Sequence, residues 1–344
     1  MSGINKVIDN AIMKHYSNNM QLFDKDSNIN IINNIKLNNV SFDDMSIRID
    51  KIKQYRSQLF NLKQIPFVKQ RTQEWLDLRK DRLTASDLYD AIKGGANTLS
   101  LAKKKANVVA DKTNYKNIPP LKWGTMFEPM AVRCYSQQNH NIQIHDFGLI
   151  CDSINPHFGA SPDGISDMGI MIEIKCPYSR KLIDGFIPPK YLSQIQGQLA
   201  VCQLEECDYI ECEFKQFESE EEYFSTLNSN KLNNHGIIAE YLDGNNDFHY
   251  LYSNEDLTPS QAKTNIYQQM TNIDINTYSF NKFIYWQLTQ INIQKVTFNS
   301  DEWNMTSDKI TEFWNKVEDI KKMSTEELKL LETPKKKIKF IEDN

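Results

Sequence analysis

Residues 169–175, Gly-Ile-Met-Ile-Glu-Ile-Lys, read as a β-strand whose only charges are Glu173 and Lys175. Successive side chains of a strand point to opposite faces, so Glu173 and Lys175 share one face and Ile172 and Ile174 the other. Charges on a buried face are costly without partners. The chain must therefore bring compensating groups to that face. A second carboxylate is near: Asp163 lies in a Pro-Asp-Gly turn, with nine residues between it and Glu173. A side chain projects freely from such a turn. A turn carboxylate and a strand carboxylate joined by a short hairpin can converge on a hard divalent cation such as Mg²⁺, whose octahedron water completes. Lys175 beside that cation could hold or polarise a water and offset charge developing on a phosphate. A surface hairpin carrying an ordinary Glu/Lys pair fits the same letters, so the surrounding segments matter.

Three segments supply context. Glu128 stands in Trp-Gly-Thr-Met-Phe-Glu-Pro, near the start of a helix predicted over residues 123–138. It is either a further ligand or a first-turn acid favoured by the helix dipole. Residues 190–203 have helical spacing and contain Ser-Gln-Ile-Gln-Gly-Gln, in which Gln194 and Gln198 share a face and Gln196 points elsewhere. Taken singly, each Gln fits a solvated helix face. Upstream, a cluster around Arg79, Thr84 and Ser86 precedes a helix predicted over residues 86–93. Thr84 or Ser86 can cap that helix, and a helix start beside Arg and Ser suits a phosphate. An ordinary cap with a surface Arg is the alternative.

In this order, LRKDRLTAS, WGTMFEP, ASPDGI, IEIKCP and SQIQGQLAV resemble the lambda-exonuclease/YqaJ family of viral and phage recombination nucleases, a branch of the PD-(D/E)xK superfamily. The matching runs lie within residues 71–203, less than half of the chain. The resemblance implies an α/β fold with a restriction-endonuclease-like core, a mixed central sheet flanked by helices. It implies Mg²⁺-dependent hydrolysis of DNA from duplex ends, usually 5′→3′, with Mn²⁺ able to substitute and two ions per site. Carried onto this chain, Asp163 and Glu173 would ligate metal, Glu128 would complete one site and the Ile174 carbonyl would contribute. Lys175 would position or activate the nucleophilic water, supported by Gln194. Arg79 and Ser86, with Thr84 beside them, would hold the 5′-phosphate of the strand being degraded. The expected partners are double-stranded DNA ends, a single-strand annealing protein and further copies of the chain, since related proteins form ring-shaped trimers. An endonuclease, a nuclease that also cuts RNA, and a catalytically silent binding scaffold are the competing readings.

The remaining sequence divides around this core, read as residues 66–217. Residues 1–65 read as a helical extension, with apolar positions 45, 49, 52, 55, 59 and 62 at helical spacing. Strands are expected over residues 147–152, 168–175 and 209–214, and helices over residues 73–78, 260–270 and 307–322. Residues 218–344 read as an acidic segment followed by a helical extension with a basic tail at 332–339, either a solvated tail or a nuclear-import patch. The chain of 344 residues carries a net charge of −5, and residues 218–256 hold nine acidic side chains against one basic. The acidity therefore resides outside the proposed core. That excludes a protein coating nucleic acid by bulk positive charge but not a local DNA groove. The acidic segment is expected to face solvent or a basic partner. The six cysteines form no CxxC pair, which points to reduced thiols and argues against a cysteine-held metal or iron–sulfur cluster. No signal peptide or membrane span is evident, so an intracellular protein with no membrane role is expected; that it is virus-encoded is what the family resemblance implies.

Overall fold

The computed structural model describes residues 2–109, 118–227 and 234–331. The basic tail at 332–339 lies outside the described residues. Four helices come first: α1 (Ser2–Tyr16), α2 (Met20–Lys25), α3 (Asn28–Ile35) and α4 (Phe42–Leu62). Ser41 caps α4 by accepting a hydrogen bond from the Asp44 N–H at 3.0 Å. All six apolar positions read from the sequence, Met45 to Leu62, are buried. Most of them meet Ile8, Ile12, Tyr16, Phe23 and Ile31 in a lobe that also takes in Met168 and Ile170, at the entry to the strand that carries Glu173. Gly169 makes that junction close. Its φ is +72°, and a Cβ there would lie 2.5 Å from the backbone of Tyr55, so only glycine fits without displacement.

The middle of the chain holds α5 (Gln73–Lys80), β1 (Leu83–Thr84), a 3₁₀ turn (Ala85–Asp87), α6 (Leu88–Ile92), α7 (Gly95–Lys105) and α8 (Pro119–Gln138). Five short strands follow: β2 (Ile144–His145), β3 (Ile150–Cys151), β4 (Phe158–Ala160), β5 (Gly164–Ser166) and β6 (Met171–Lys175). Then come α9 (Pro189–Cys202) and β7 (Glu206–Gln216). The last third contains α10 (Glu220–Thr226), β8 (His235–Asp243), β9 (Phe248–Tyr252), α11 (Pro259–Met270), β10 (Tyr278–Thr297), α12 (Ser300–Lys322) and α13 (Thr325–Leu330).

A seven-stranded mixed sheet runs in the order β2-β5-β6-β7-β10-β8-β9, and β1, β4 and β3 form a smaller one. The pair β6–β7 is parallel, and the other pairs of the large sheet are antiparallel. This is the expected α/β class, a mixed central sheet flanked by helices. The two faces of β6 meet different helices. Ile172 and Ile174 pack with Phe127 and Met130 of α8, each such burial being worth about 1.5–3 kcal/mol. Met171 packs with Ile195 and Leu199 of α9. The alternation read from the sequence thus holds, and Glu173 faces α9.

The last third differs from its reading as an acidic segment and helical extension. Helices lie where residues 260–270 and 307–322 predicted them, but β8, β9 and β10 were not foreseen. They belong to the same sheet as the catalytic-strand candidate, and β10 pairs with β7 along Glu206 to Gln216. A division at residue 217 separates hydrogen-bonded neighbours. Two irregularities in β10, at Phe280/Lys282 and Leu288/Gln290, shift the phase of side-chain alternation and hide the strand period. The acidic cluster has a local structural use. Ser219 caps α10, Glu220, Glu221 and Glu222 occupy its first turn, where the helix dipole favours acids, and Glu222 pairs with Lys215 at 2.7 Å. All six cysteines are free thiols; Cys134, Cys202, Cys207 and Cys212 are buried, and Cys151 is exposed.

Candidate active site

Glu173 is fully buried. Its Oε1 accepts from the Lys175 ammonium and from the Gln194 amide at 2.7 Å, while Oε2 accepts from the Gln198 amide at 2.8 Å. One ammonium and two amides thus hold a carboxylate that would otherwise be an unpaired buried charge. The i, i+4 spacing on α9 explains why Gln194 and Gln198 reach the same group. Gln196 points away, donating to the Thr297 carbonyl at 2.9 Å and accepting from the Asn299 N–H at 2.9 Å.

Asp163 reaches the edge of β6 where β5 has ended. Its Oδ2 accepts from the Ile174 N–H at 2.7 Å. The N–H and C=O of one strand residue point to the same neighbour, so the Ile174 carbonyl faces that edge as well. Burial, then the charges of Glu173 and Glu128, push the Asp163 carboxyl well above the usual range, against the pull of Lys175. For Lys175, burial disfavours the ammonium, but Glu173 and Asp163 outweigh it and lift the group above its ordinary value. The Lys175 ammonium also lies 4.9 Å from the Tyr191 ring centroid, within cation–π range.

Glu128 approaches on α8. It is half-buried, and its Oε2 pairs with Arg71 at 2.6 Å. Among the described residues no three or more His, Cys, Asp or Glu side chains form a metal-holding cluster. The donor set nevertheless suits a hard cation. It offers carboxylate and carbonyl oxygens, and burial, then the neighbouring Glu173 and Glu128, disfavour the charged form of Asp163; a divalent cation would offset that crowding of negative charge.

The upstream cluster assembles differently from the expectation. Arg79 stacks on the Trp75 ring at 4.1 Å and donates to Thr84 Oγ1 at 3.1 Å and Ser86 Oγ at 3.3 Å. Neither hydroxyl caps a helix. Thr84 precedes the 3₁₀ turn without a side-chain cap bond, and Asp87, rather than Ser86, precedes α6. The two hydroxyls are held by Arg79 and by each other at 3.1 Å, and Thr84 also donates to Asp87 at 3.2 Å. Arg79, Thr84 and Ser86 therefore do meet, as a side-chain cluster and not as a capped helix start. Burial lowers the Arg79 guanidinium from its usual value, with Asp87 opposing. Beneath the cluster, the Lys105 ammonium donates to the Arg79 and Arg82 carbonyls at 2.9 and 2.6 Å, and burial brings it down to about 8. Trp75 ties this cluster to the acidic centre, donating from Nε1 to Ser161 Oγ at 3.1 Å, two residues before Asp163.

Residues 74–205 match the model of the YqaJ-like viral recombinase domain. This stretch is a YqaJ-like domain. The chain is 29% identical over 189 residues to an uncharacterized protein of Acanthamoeba polyphaga mimivirus, a match covering 48% of this chain and 33% of that one. It thus spans about a third of the length of that curated relative. Among solved structures, it is similar to an alkaline exonuclease (LHK-Exo) from Laribacter hongkongensis, with 18% identity, 75% of this chain and 100% of that chain covered, and a TM-score of 0.45. A phage related exonuclease from Haemophilus somnus 129PT gives 11% identity, 70% and 93% coverage, and a TM-score of 0.36.

The YqaJ-like domain brings Asp163, Glu173, Lys175, Gln194 and the edge bearing Ile174 together, with Glu128 close enough to act on Asp163 electrostatically. Sequence reasoning did not assign Gln198, Trp75, Ser161 or Arg71. For Gln198 the signal was present in its spacing from Gln194. For Arg71 there was none, because its partner lies 57 residues away.

Proposed function

We propose that this protein is a metal-dependent deoxyribonuclease that degrades duplex DNA from its ends, 5′→3′, in viral recombination, repair and replication. The observation that carries this reading is the buried Glu173, held by Lys175 and Gln194 beside Asp163, within a YqaJ-like domain. Asp163, Glu173, Glu128 and the Ile174 carbonyl would hold two Mg²⁺ ions, or Mn²⁺ in their place. When bound, such ions activate a water and stabilise the attacking and leaving oxygens of phosphodiester hydrolysis. Lys175 donates hydrogen bonds and accepts none, so it orients the water and offsets phosphate charge. Gln194 and Gln198 fix the Glu173 carboxylate, which keeps the Lys175 ammonium in place. Arg79 offers a planar fork suited to a phosphate, flanked by the Thr84 and Ser86 hydroxyls and braced by Trp75. Held apart from the hydrolytic centre, a 5′-phosphate there would select the end engaged.

No helix among the described residues is long and apolar enough to cross a membrane; the proposed activity would be exerted on DNA inside the infected cell. A single-strand annealing protein and further copies of this chain, as a ring, are the partners proposed.

Pure protein with Mg²⁺ and a 5′-phosphorylated linear duplex should shorten the duplex and leave closed circular DNA intact. Asp163→Ala should abolish the activity. An unchanged linear duplex, or full activity in that variant, rules out the nuclease reading, whereas cutting of the circle favours an endonuclease. Polarity is read from substrates carrying 5′-phosphate or 5′-hydroxyl with one strand end-labelled. Charge-assisted hydrogen bonds are worth about 1.5–3 kcal/mol, so Arg79→Ala should reduce the 5′-phosphate preference roughly 10- to 100-fold. A preference retained in full would remove Arg79 from the pocket.

A further inference from the structure

Arg71 stands just outside the YqaJ-like stretch, and nothing above gives it a role. Its φ is +69°, a left-handed conformation that a residue with a side chain keeps only where its surroundings hold it. They do so on both sides. The Val68 backbone lies against Gly148 so closely that a Cβ on the glycine would be 2.4 Å from the Val68 carbonyl oxygen. Gln70 donates to the Phe147 and Pro162 carbonyls at 2.9 and 3.3 Å. The Thr72 hydroxyl donates to the Lys69 carbonyl at 2.7 Å and accepts from the Trp75 N–H at 3.3 Å, starting α5. A short, clamped turn thus spans the elements bearing Asp163 and Arg79, and its one left-handed residue aims at Glu128.

The Arg71–Glu128 pair is not built for stability. Its side chains are 53% and 31% exposed, and lone exposed ion pairs contribute little to folding. Such a pair is easily exchanged. Glu128 belongs to the carboxylate group around Asp163, so whatever neutralises it acts on the whole acidic centre.

We infer that Arg71 is a resident counter-ion, holding Glu128 until a divalent cation takes that carboxylate and then turning its freed guanidinium to a DNA phosphate. This rests on the nuclease reading. Arg71 is a positioning residue here, acting through Glu128, and its effect has a sign that a purely structural role would reverse. A guanidinium beside the centre repels a divalent cation and occupies one of its ligands, so its removal should strengthen cation binding. If Arg71 merely shaped Glu128 for the cation, its removal would weaken binding. Once released, its planar fork suits a phosphate.

The test uses the full chain without DNA, with Mn²⁺ binding followed by electron paramagnetic resonance. Arg71→Gln should bind Mn²⁺ about 3- to 10-fold more tightly than the unaltered protein, and Arg71→Lys about as tightly. Arg71→Gly, which accepts the left-handed backbone, should match Arg71→Gln and guards against misfolding of the turn. With Ca²⁺ in place of Mg²⁺, Arg71→Gln should bind duplex DNA more weakly, its salt dependence reduced by about one phosphate contact. Mn²⁺ affinity unchanged or lowered in both the Gln and Gly variants overturns the counter-ion role; unaltered DNA binding overturns the phosphate contact. Asp163→Asn separates the two levels. If Mn²⁺ binding ignores Asp163→Asn, the nuclease reading fails; if it responds while the Arg71 variants do nothing, only this inference fails.

Discussion

Lys175→Met should lower the rate of DNA cleavage about 10²- to 10³-fold, the range found when one preorganised donor is removed from a developing anion. The loss should appear in kcat, with DNA binding in Ca²⁺ changed by less than about threefold, because Lys175 bears on charge that develops during reaction. The substitution spares the fold better than a change at Glu173 would. Glu173 is fully buried and keeps both amide donors, Gln194 and Gln198, when the ammonium is gone. The Lys175 side chain is 21% exposed, so methionine enters without burying a new polar group. Single-turnover cleavage of a 5′-phosphorylated duplex measures the effect, and a loss below tenfold would remove Lys175 from the chemistry.

Arg48→Met should be the most damaging single change to stability away from the site. Arg48 is 1% exposed on α4, and its guanidinium serves two carboxylates. Nε and Nη2 donate to Asp9 at 2.7 and 2.6 Å, while Nη1 and Nη2 donate to Glu206, the latter at 2.9 Å. Lys295 on β10 adds a 2.9 Å contact to Glu206. One side chain therefore joins α1, α4, β7 and, through Glu206, β10. Removing it leaves Asp9 and Glu206 buried with Lys295 as their remaining cation, at a cost of up to about 3–5 kcal/mol, measurable by urea denaturation. The loss should depend on pH. Burial alone would raise Glu206, but Arg48 and Lys295 outweigh it and hold the group at about 2. A carboxylate depressed in the folded state adds stability above its unfolded value near 4.5, and that stability disappears as pH falls toward 2. For Asp9, burial outweighs Arg48 and Lys295 and leaves the carboxyl raised, so the gap between the unaltered protein and Arg48→Met should be full at neutral pH, narrow as the two carboxyls protonate, and close toward about pH 2. A gap independent of pH would show that the pair contributes through packing instead.

Much of the site was legible because it depends on local periods. Alternation placed Glu173 and Lys175 on one face of β6, the helical period put Gln194 and Gln198 on one face of α9, and the Pro-Asp-Gly turn freed Asp163. The family resemblance joined these pieces before any geometry was known. Other contacts had no local signal. The hydroxyls of Thr84 and Ser86 suggested a cap, and nothing nearby in sequence showed that Arg79 would claim them. The Arg48 pairs join residues 39 and 158 positions apart. In β8 the run His235 to Tyr241 is buried throughout, so it lacks the alternation that marks a half-exposed strand. In β10, much of the strand is exposed and its register shifts twice, leaving no single period to read.

The family match ends at residue 205, and β7 begins at Glu206. The parallel neighbour of the Glu173 strand thus lies just past the matched stretch, and β7 leans in turn on a twenty-residue β10 supplied by the last third of the chain. A gene fragment cut at the limits of the match would carry the acidic and basic residues but leave β6 with a raw edge, open to pairing with whatever strand it met. Insertions can accumulate in the turns between these strands, yet a recombination breakpoint between β6 and β10 would split one sheet. A fragment that keeps this sheet whole must therefore run at least to Thr297, where β10 ends.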